Sequence, residues 1–326
     1  ITQLPEYYLT RAERALLEAW APSLAAGGRY RALVELGAGS AEKTRVLLKA
    51  LLAAAGGGEP GGGGGERAAE GEPAGTDPRP SAPVADGPVD AVTPGDRGGG
   101  IAAGGAGGVA AAGAAGRVVY VPVDASPAYL EQASERLRAQ YPALAVWPVA
   151  ADIGESFALP ADLPRPALFA FLGSTIGNFD GVAAAALLSR VRAAMGEADR
   201  LLLGVDLKKD VARLEAAYND ARGVTAEFNR NLLRVLNREL GADFDPEAFE
   251  HRAFYAAGAG RIEMHLVARA AQEVRIPGVG VVRFEPGESV RTEISCKYDR
   301  ADVQALFAGA SLALAEWRAD AGGLFA

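Results

Sequence analysis

The chain has 326 residues, 49% of them hydrophobic, with 33 Lys and Arg against 41 Asp and Glu for a formal net charge of −8. It is long enough for a large core and two lobes, and its negative charge argues against nucleic acid, whose binders present a basic surface. A single cysteine, Cys296, excludes an internal disulfide framework and suits a reducing compartment. His251 and His265 cannot form a zinc site with it at any usual spacing, so no metal is expected. No stretch reaches the roughly 20 charge-free apolar residues of a membrane span. These features favour a cytoplasmic enzyme acting on a small molecule. The chain starts at Ile1 and its last residues resemble an interrupted strand, so it reads as a fragment or processed piece, with any targeting segment outside it.

Residues Leu4 to Arg11 lead into a helix with Ala15, Leu16, Leu17 and Trp20 as its apolar positions. Thr10 is the expected N-cap, with Glu13 completing a capping box. Tyr7 and Tyr8, just before it, either pack plainly or form a lid over a ligand. Next, an apolar run ends in Glu35-Leu36-Gly37-Ala38-Gly39, and an amphipathic helix follows (Val46, Leu47, Leu48, Leu51, Leu52). This predicts the strand, tight turn and helix N-terminus of a nucleotide-type βα unit. Gly37 and Gly39 allow a sharp turn and close ligand approach, and Ser40 suits the cap. Glu42 stands where the dinucleotide fingerprint needs a third glycine. The turn therefore resembles the E-x-G-x-G turn of S-adenosylmethionine (SAM) enzymes more than a nicotinamide site. A glycine turn that only packs a helix on a sheet is the plainer alternative.

Residues 56–116 are nearly all Gly, Ala, Pro and acidic. They cannot bury enough apolar surface to offset the entropy of ordering, which predicts a disordered insertion. Order resumes in a strand ending at Asp124. With the insertion excised, Asp124 falls roughly 20 to 30 residues beyond Gly37, near the spacing of an acid that grips a ribose. A helix (Tyr129, Leu130, Ala133, Leu137) and a strand over Leu144 to Val149 lead to Asp152, which suits the adenine amine. The next strand, Ala167 to Leu172, ends in the polar turn Gly173-Ser174-Thr175-Ile176-Gly177-Asn178-Phe179, where open α/β sheets bind ligands. The Asn/Asp-Pro-Pro-aromatic tetrad of nucleic-acid amino methylases is not there. A helix over Val182 to Met195 and a strand over Leu201 to Asp206 follow.

Beyond Asp210, Val211, Leu214 and Tyr218 share one helical face. Gly223 breaks that pattern, Thr225 can cap a second helix, and Phe228, Leu232, Val235 and Leu236 line it. Strands are expected over Ala253 to Tyr255, Arg261 to Ala268, Glu273 to Ile276, Val281 to Phe284 and Val290 to Lys297, with glycines and prolines between them. A helix over Val303 to Phe307 and a strand over Leu312 to Trp317 close the chain.

Taken together, LPEYYLTRAER (from Leu4), ELGAGSAEKTRVLL (from Glu35), FLGSTIGN (from Phe171), AYNDARGVTAEFNRNLLRVLNRELGADFD (from Ala217) and TEISCK (from Thr292) resemble the SAM-dependent L-histidine Nα-methyltransferases of ergothioneine biosynthesis. Leu203 to Asp206 and Arg261 to Met264 also match. The resemblance implies an α/β fold: a class I (Rossmann-like) SAM methyltransferase sheet with an inserted α+β substrate-binding lobe. Its divisions would be a lid segment (1–20), a SAM-binding core (21–207), a histidine-binding lobe (208–297) and a return to the core (298–326) with a truncated last strand. It implies SAM held by Gly37, Gly39, Lys43, Asp124 and Asp152. Histidine would be surrounded by Tyr7, Gly173, Asn178, Tyr218, Met264, Glu293 and Ser295, with Tyr218 and Asn178 closest to the chemistry. The product would be Nα,Nα,Nα-trimethylhistidine (hercynine), and a downstream sulfoxide synthase is the implied partner.

The residues suit those roles. Glu293 and Ser295 lie two apart on one strand face, where a carboxylate and a hydroxyl can meet the two nitrogens of an imidazole. A solvated strand face is the plainer alternative. His265, beside Met264, points to the opposite face and reads as structural. Methyl transfer moves charge from sulfur to nitrogen without creating a large net charge. The site must therefore position the reactants and favour the neutral amine by desolvation, and a tyrosine hydroxyl or water takes the proton. The competing possibilities are a catalytically silent SAM-binding or scaffold protein and a methyltransferase for another small amine.

Overall fold

The structure is a computed structural model and describes residues 1–38, 42–56, 118–155 and 157–326. The expected insertion, except Gly56 at its edge, lies outside the described residues, as do Gly39 and Ser40.

Five apolar segments build a parallel sheet. They are β1 (Ala32–Leu36), β2 (Val119–Asp124), an edge in two short pieces, β3 (Ala145–Val146) and β4 (Val149–Ala150), then β5 (Ala167–Phe171) and β6 (Arg200–Leu203). Their order is β3-β2-β1-β5-β6, with β4 also on β2, so the single strand expected over Leu144 to Val149 is interrupted at Trp147 and Pro148. Every residue of β1 and β5 is buried, the pattern of central strands covered on both faces. Alternation assigns the two faces. Ala32, Val34, Leu36, Phe169 and Phe171 join helices α4 (Gly181–Ala194) and α7 (Arg300–Gly309) through Leu187, Leu188, Val191, Val303 and Phe307. Leu33, Tyr120, Leu168 and Ala170 meet α1 (Leu9–Gly28), α2 (Glu42–Ala54) and α3 (Pro127–Gln140) through Leu17, Ala21, Leu47, Leu48 and Leu137. Strand order reverses between β1 and β5, the position at which such sheets bind ligands.

The second sheet is antiparallel, ordered β11-β8-β7 from β7 (Phe249–Ala256), β8 (Arg261–Ala268) and β11 (Ser289–Cys296). Strands β9 (Gln272–Ile276) and β10 (Gly280–Phe284) form a separate hairpin. In β8, Ile262, Met264, Leu266 and Ala268 are buried and alternate with partly exposed residues, so one face of this sheet is core. The register of β11 against β8 slips between Arg291 and Glu293. Arg291 lies opposite His265, yet Glu293 lies opposite Met264 and Ser295 opposite Ile262. Without that bulged residue Glu293 would fall opposite Glu263, on the outer face. One inserted residue turns Glu293 and Ser295 inward.

Five local expectations are corrected. Helix α1 starts at Leu9 with Tyr8 at the cap position and no side-chain cap, so Thr10 does not cap it and Glu13 is turned into the protein. Tyr218 lies past α5 (Val211–Ala216) in the turn before α6 (Val224–Leu240). Helix α6 is capped not by Thr225 but by Asp220, whose carboxylate accepts from the Val224 and Thr225 amides at 2.9 and 2.7 Å. It buries Thr225, Asn229 and Leu233 while Phe228 and Leu232 stay exposed, because Asn229 bonds to His251 and the His265 carbonyl and so sets the inward face. Finally, 312–317 forms no strand; instead 324–326 pairs with 205–207, Ala326 and Val205 exchanging backbone bonds at 2.7 and 3.0 Å.

Candidate functional site

The turn after β1 puts Gly37 at φ +69°, where a side chain would be strained, and its amide donates to Val123 O at 2.8 Å. That bond sets the β1 turn beside the end of β2, where the Asp124 carboxylate accepts from the Ser126 amide at 3.0 Å. Pairing of β4 with β2 brings Asp152 to the same edge of the sheet; it is exposed and accepts from the Gly154 amide at 2.8 Å. Gly37, Asp124 and Asp152 thus share the carboxyl ends of adjacent strands.

Lys43, in the first turn of α2, is ion-paired with the buried Glu13 of α1. The other Glu13 oxygen accepts from the Gly173 amide at 2.7 Å, which ties the turns after β1 and β5 together through α1. Gly173 has φ +79°, and a Cβ there would lie 3.0 Å from Lys43 Nζ, so only glycine leaves this cradle open. Gly37, Lys43, Asp124 and Asp152 are the residues at this end of the sheet that could hold the amino acid and ribose parts of SAM. Beneath them Glu35 accepts from Thr44 at 2.6 and 2.8 Å and from Tyr120. Burial lifts its carboxyl to about 7, although both hydroxyls and the Lys43 charge act to lower it.

The turn after β5 ends in a short helix, Thr175–Asn178, with Asn178 exposed at its end. A Cβ on Gly177 would meet Cys296 O at 2.9 Å and Cys296 N at 3.2 Å, so the turn packs backbone to backbone on β11 next to Ser295. Tyr218 OH donates to Ser295 Oγ at 2.8 Å, and its ring meets Tyr7 edge-on at 6.2 Å. Met264 is buried with both tyrosines and Tyr8. Lys297, the next inward residue of this strand face, has no exposed side-chain surface. Its ammonium donates to Tyr218 OH at 3.0 Å and Ser295 Oγ at 2.8 Å and pairs with Asp206 at 2.8 Å. Asp206 also accepts from Tyr8 OH at 3.0 and 3.1 Å and pairs with Lys209. Ser174 Oγ accepts from the Asp206 amide at 2.9 Å, so this polar network joins the parallel sheet to β11.

Burial raises the Tyr7 hydroxyl well above the usual phenol range, helped by Tyr218, Asp206 and Glu293, so Tyr7 is a neutral group. Burial also raises the Glu293 carboxyl, against the opposing charge of Lys297. For Lys297, burial acts to lower the pKa, but Tyr218 and Asp206 outweigh it and the ammonium stays charged. His251 is held below the usual imidazole range by burial, while its Nε2 donates to the Tyr218 carbonyl at 2.8 Å. His265 lies on the outer face, bonded to Ser289 and Glu263 and stacked on Phe254.

Of the residues expected at the site, Tyr7, Tyr218, Met264 and Ser295 meet in one buried cluster, with Glu293 on the same strand face as Ser295. Lys43 and Gly173 meet through Glu13. Gly37, Asp124 and Asp152 lie along the sheet edge, and Gly39 falls outside the described residues. Sequence reasoning missed Lys297, Asp206, Lys209 and Glu13. Lys297 was within reach of it, since 293, 295 and 297 alternate on one face; Glu13 was taken for a cap, and its inward partners come from distant turns.

Comparison with known proteins shows the family. A family model described as "Histidine-specific methyltransferase, SAM-dependent" matches residues 1–59 and 109–326. The histidine N-alpha-methyltransferase of Mycolicibacterium smegmatis is 36% identical over 326 residues, covering 100% of this chain and 83% of that protein. Ergothioneine biosynthesis protein 1 of Neurospora crassa is 30% identical over 173 residues, 48% of this chain and 18% of that one. Among solved structures, the CcbJ methyltransferase from Streptomyces caelestis is similar at 12% identity and a TM-score of 0.44, covering 95% of this chain and 86% of that one.

Proposed function

Because the chain belongs to the SAM-dependent, histidine-specific methyltransferases, we propose that it methylates the α-amine of L-histidine three times and releases hercynine for ergothioneine biosynthesis. One observation carries this reading. Tyr218, Ser295 and Lys297 converge on the inward face of β11, beside Glu293 and against the turn that ends β5. These polar groups lie beside the turn at the carboxyl end of β5.

In this scheme Gly37, Lys43, Asp124 and Asp152 hold SAM, which supplies an electrophilic sulfonium methyl. Glu293 and Ser295 grip the imidazole, far from the atom being methylated, so the grip does not depend on how many methyls the amine carries. Asn178, exposed at the end of its turn, binds the substrate carboxylate, and Tyr218, whose oxygen keeps one lone pair free of Lys297, aims the amine, with Tyr7 closing the site. Positioning of this kind can supply several kcal/mol toward the barrier. Tyr7 and Met264 desolvate the amine and favour its neutral, nucleophilic form. Tyr7 is itself neutral, so the departing proton leaves through a hydroxyl or water rather than to a tyrosinate.

The chain divides in this scheme into the lid (1–20), SAM core (21–207), histidine lobe (208–297) and returning segment (298–326). No helix among the described residues is long and apolar enough to cross a membrane. We place the enzyme in the cytoplasm, upstream of a sulfoxide synthase. Incubation with SAM and L-histidine followed by mass spectrometry tests the proposal, the expected products being mono-, di- and trimethylhistidine. SAM binding with no methylated histidine would favour the silent scaffold, and methylation of a different amine would move the substrate.

A further inference from the structure

We infer that Lys297 is a positioning residue that makes Ser295 an obligatory hydrogen-bond donor, so that the site accepts the imidazole of histidine as one neutral tautomer. The inference rests on the proposed grip of the ring by Glu293 and Ser295.

The hydrogen-bond inventory forces this outcome. An ammonium has three N–H donors and no acceptor. Lys297 points all three at oxygens: Tyr218 OH at 3.0 Å, Ser295 Oγ at 2.8 Å and Asp206 Oδ2 at 2.8 Å. A serine hydroxyl has two lone pairs and one proton. Lys297 takes one lone pair and the Tyr218 hydroxyl, donating at 2.8 Å, takes the other. Only the proton of Ser295 remains for a ligand. The bond runs from Tyr218 to Ser295 because a phenol is the stronger donor and the poorer acceptor of the two hydroxyls. Ser295 then offers a ligand a proton and no acceptor, and the one lone pair that the two hydroxyls keep is on Tyr218.

The ring nitrogen that meets this hydroxyl must therefore carry its lone pair. The other nitrogen then bears the N–H and donates to the Glu293 carboxylate, two residues away on the same strand face. An imidazolium would set an N–H against the Ser295 O–H, beside the cation of Lys297. The groups around the ring do not relieve this. Across β11, Met264 and Ile262 are apolar. Tyr7 and Tyr8 approach from the N-terminal segment, and both hydroxyls are raised by burial. Asp206 is engaged by Lys297, Lys209 and Tyr8. Among the described residues, Glu293 is the one carboxylate on this face left to face the ring. Lys297 touches Ser295 and acts on the substrate through it.

The test is 15N NMR of L-histidine labelled at both ring nitrogens, bound to the full chain with S-adenosylhomocysteine so that no methyl can be transferred. Free imidazole titrates near 6.5. Bound to the unmodified protein, the ring is expected to show one protonated and one unprotonated nitrogen down to about pH 5.5, at least tenfold in proton concentration below that point. In Lys297→Met, Ser295 regains an acceptor, and the bound ring is expected to titrate again near its free value. Ser295→Ala should lose the single-tautomer signature without touching the Lys297–Asp206 pair, and it decides the matter together with the unmodified protein if Lys297→Met does not fold. A bound ring with both nitrogens protonated at pH 6, or an unchanged spectrum in folded Lys297→Met, would overturn the inference while leaving the grip intact. Unaltered ring signals and histidine affinity in both Ser295→Ala and Glu293→Ala would instead remove the grip, and the inference with it.

Discussion

At the scale of single residues, chemistry concentrates where a charged side chain is both desolvated and partnered. Glu293 is expected to be worth a charge-assisted hydrogen bond of roughly 1.5 to 3 kcal/mol to the substrate ring. Glu293→Ala should weaken histidine binding by about one to two orders of magnitude and leave SAM affinity nearly unchanged; calorimetry with each ligand checks both. Asp124→Ala should cost about 1 to 3 kcal/mol in SAM binding by the same method, because it leaves the ribose hydroxyls unpaired. Glu35 gives a pH prediction with a definite sign. Its carboxyl titrates at about 7 in the folded protein, against the ordinary value of 4.5 expected when unfolded. Between those values the folded state holds the extra proton, so stability falls as pH rises through this window. The change is on the order of 3 kcal/mol at about 1.4 kcal/mol per tenfold in the equilibrium. Glu35→Gln should flatten it, as read from denaturant unfolding between pH 4.5 and 8.

At the scale of elements, the site depends on contacts that bring backbone close to backbone. Gly177 is the clearest case, because a methyl there meets the Cys296 main chain rather than a side chain that can swing away. Gly177→Ala should cost about 1 to 3 kcal/mol as overpacking and lift the Asn178 turn off β11. The expected result is a lower melting temperature and weaker histidine binding, while a variant as stable and active as the unmodified protein would show that the turn floats free. The elements were unevenly legible in the sequence. The mainly apolar runs of β1 and β5 and the glycine turn after β1 announce themselves, since burial on both faces leaves little room for polar residues, Glu35 being the exception. The inward face of α6 did not, because Asn229 is drawn in by His251 and the His265 carbonyl while the larger Phe228 stays outside. The bulge in β11 was equally hidden. Alternation places Glu293 and Ser295 on one face but is blind to which face, and that is set by pairing with β8.

At the scale of the whole molecule, the chain carries a long Gly/Ala-rich segment between α2 and β2 without losing the pairing of β1 with β2. Loop-closure cost grows by only about 0.6 kcal/mol per doubling of length. Replacing 56–116 with a short Gly/Ser link should therefore leave SAM affinity and the melting temperature nearly unchanged, and a severe loss of either would mean that the segment packs on the domain. The sequence by itself determined the fold class, the family, the glycine turn after β1 and the residue types that share the inward face of β11, because these reside in local strings and in the two-residue period of strands. Tertiary structure alone decided that Glu13 bridges Lys43 to Gly173 and that Lys297 is fully buried between Asp206, Tyr218 and Ser295. Apart from Ser295 and Lys297, the partners in these contacts lie 30 to 160 residues apart along the chain. A buried charge is stable only where distant partners converge on it, and no local pattern in a sequence records that convergence.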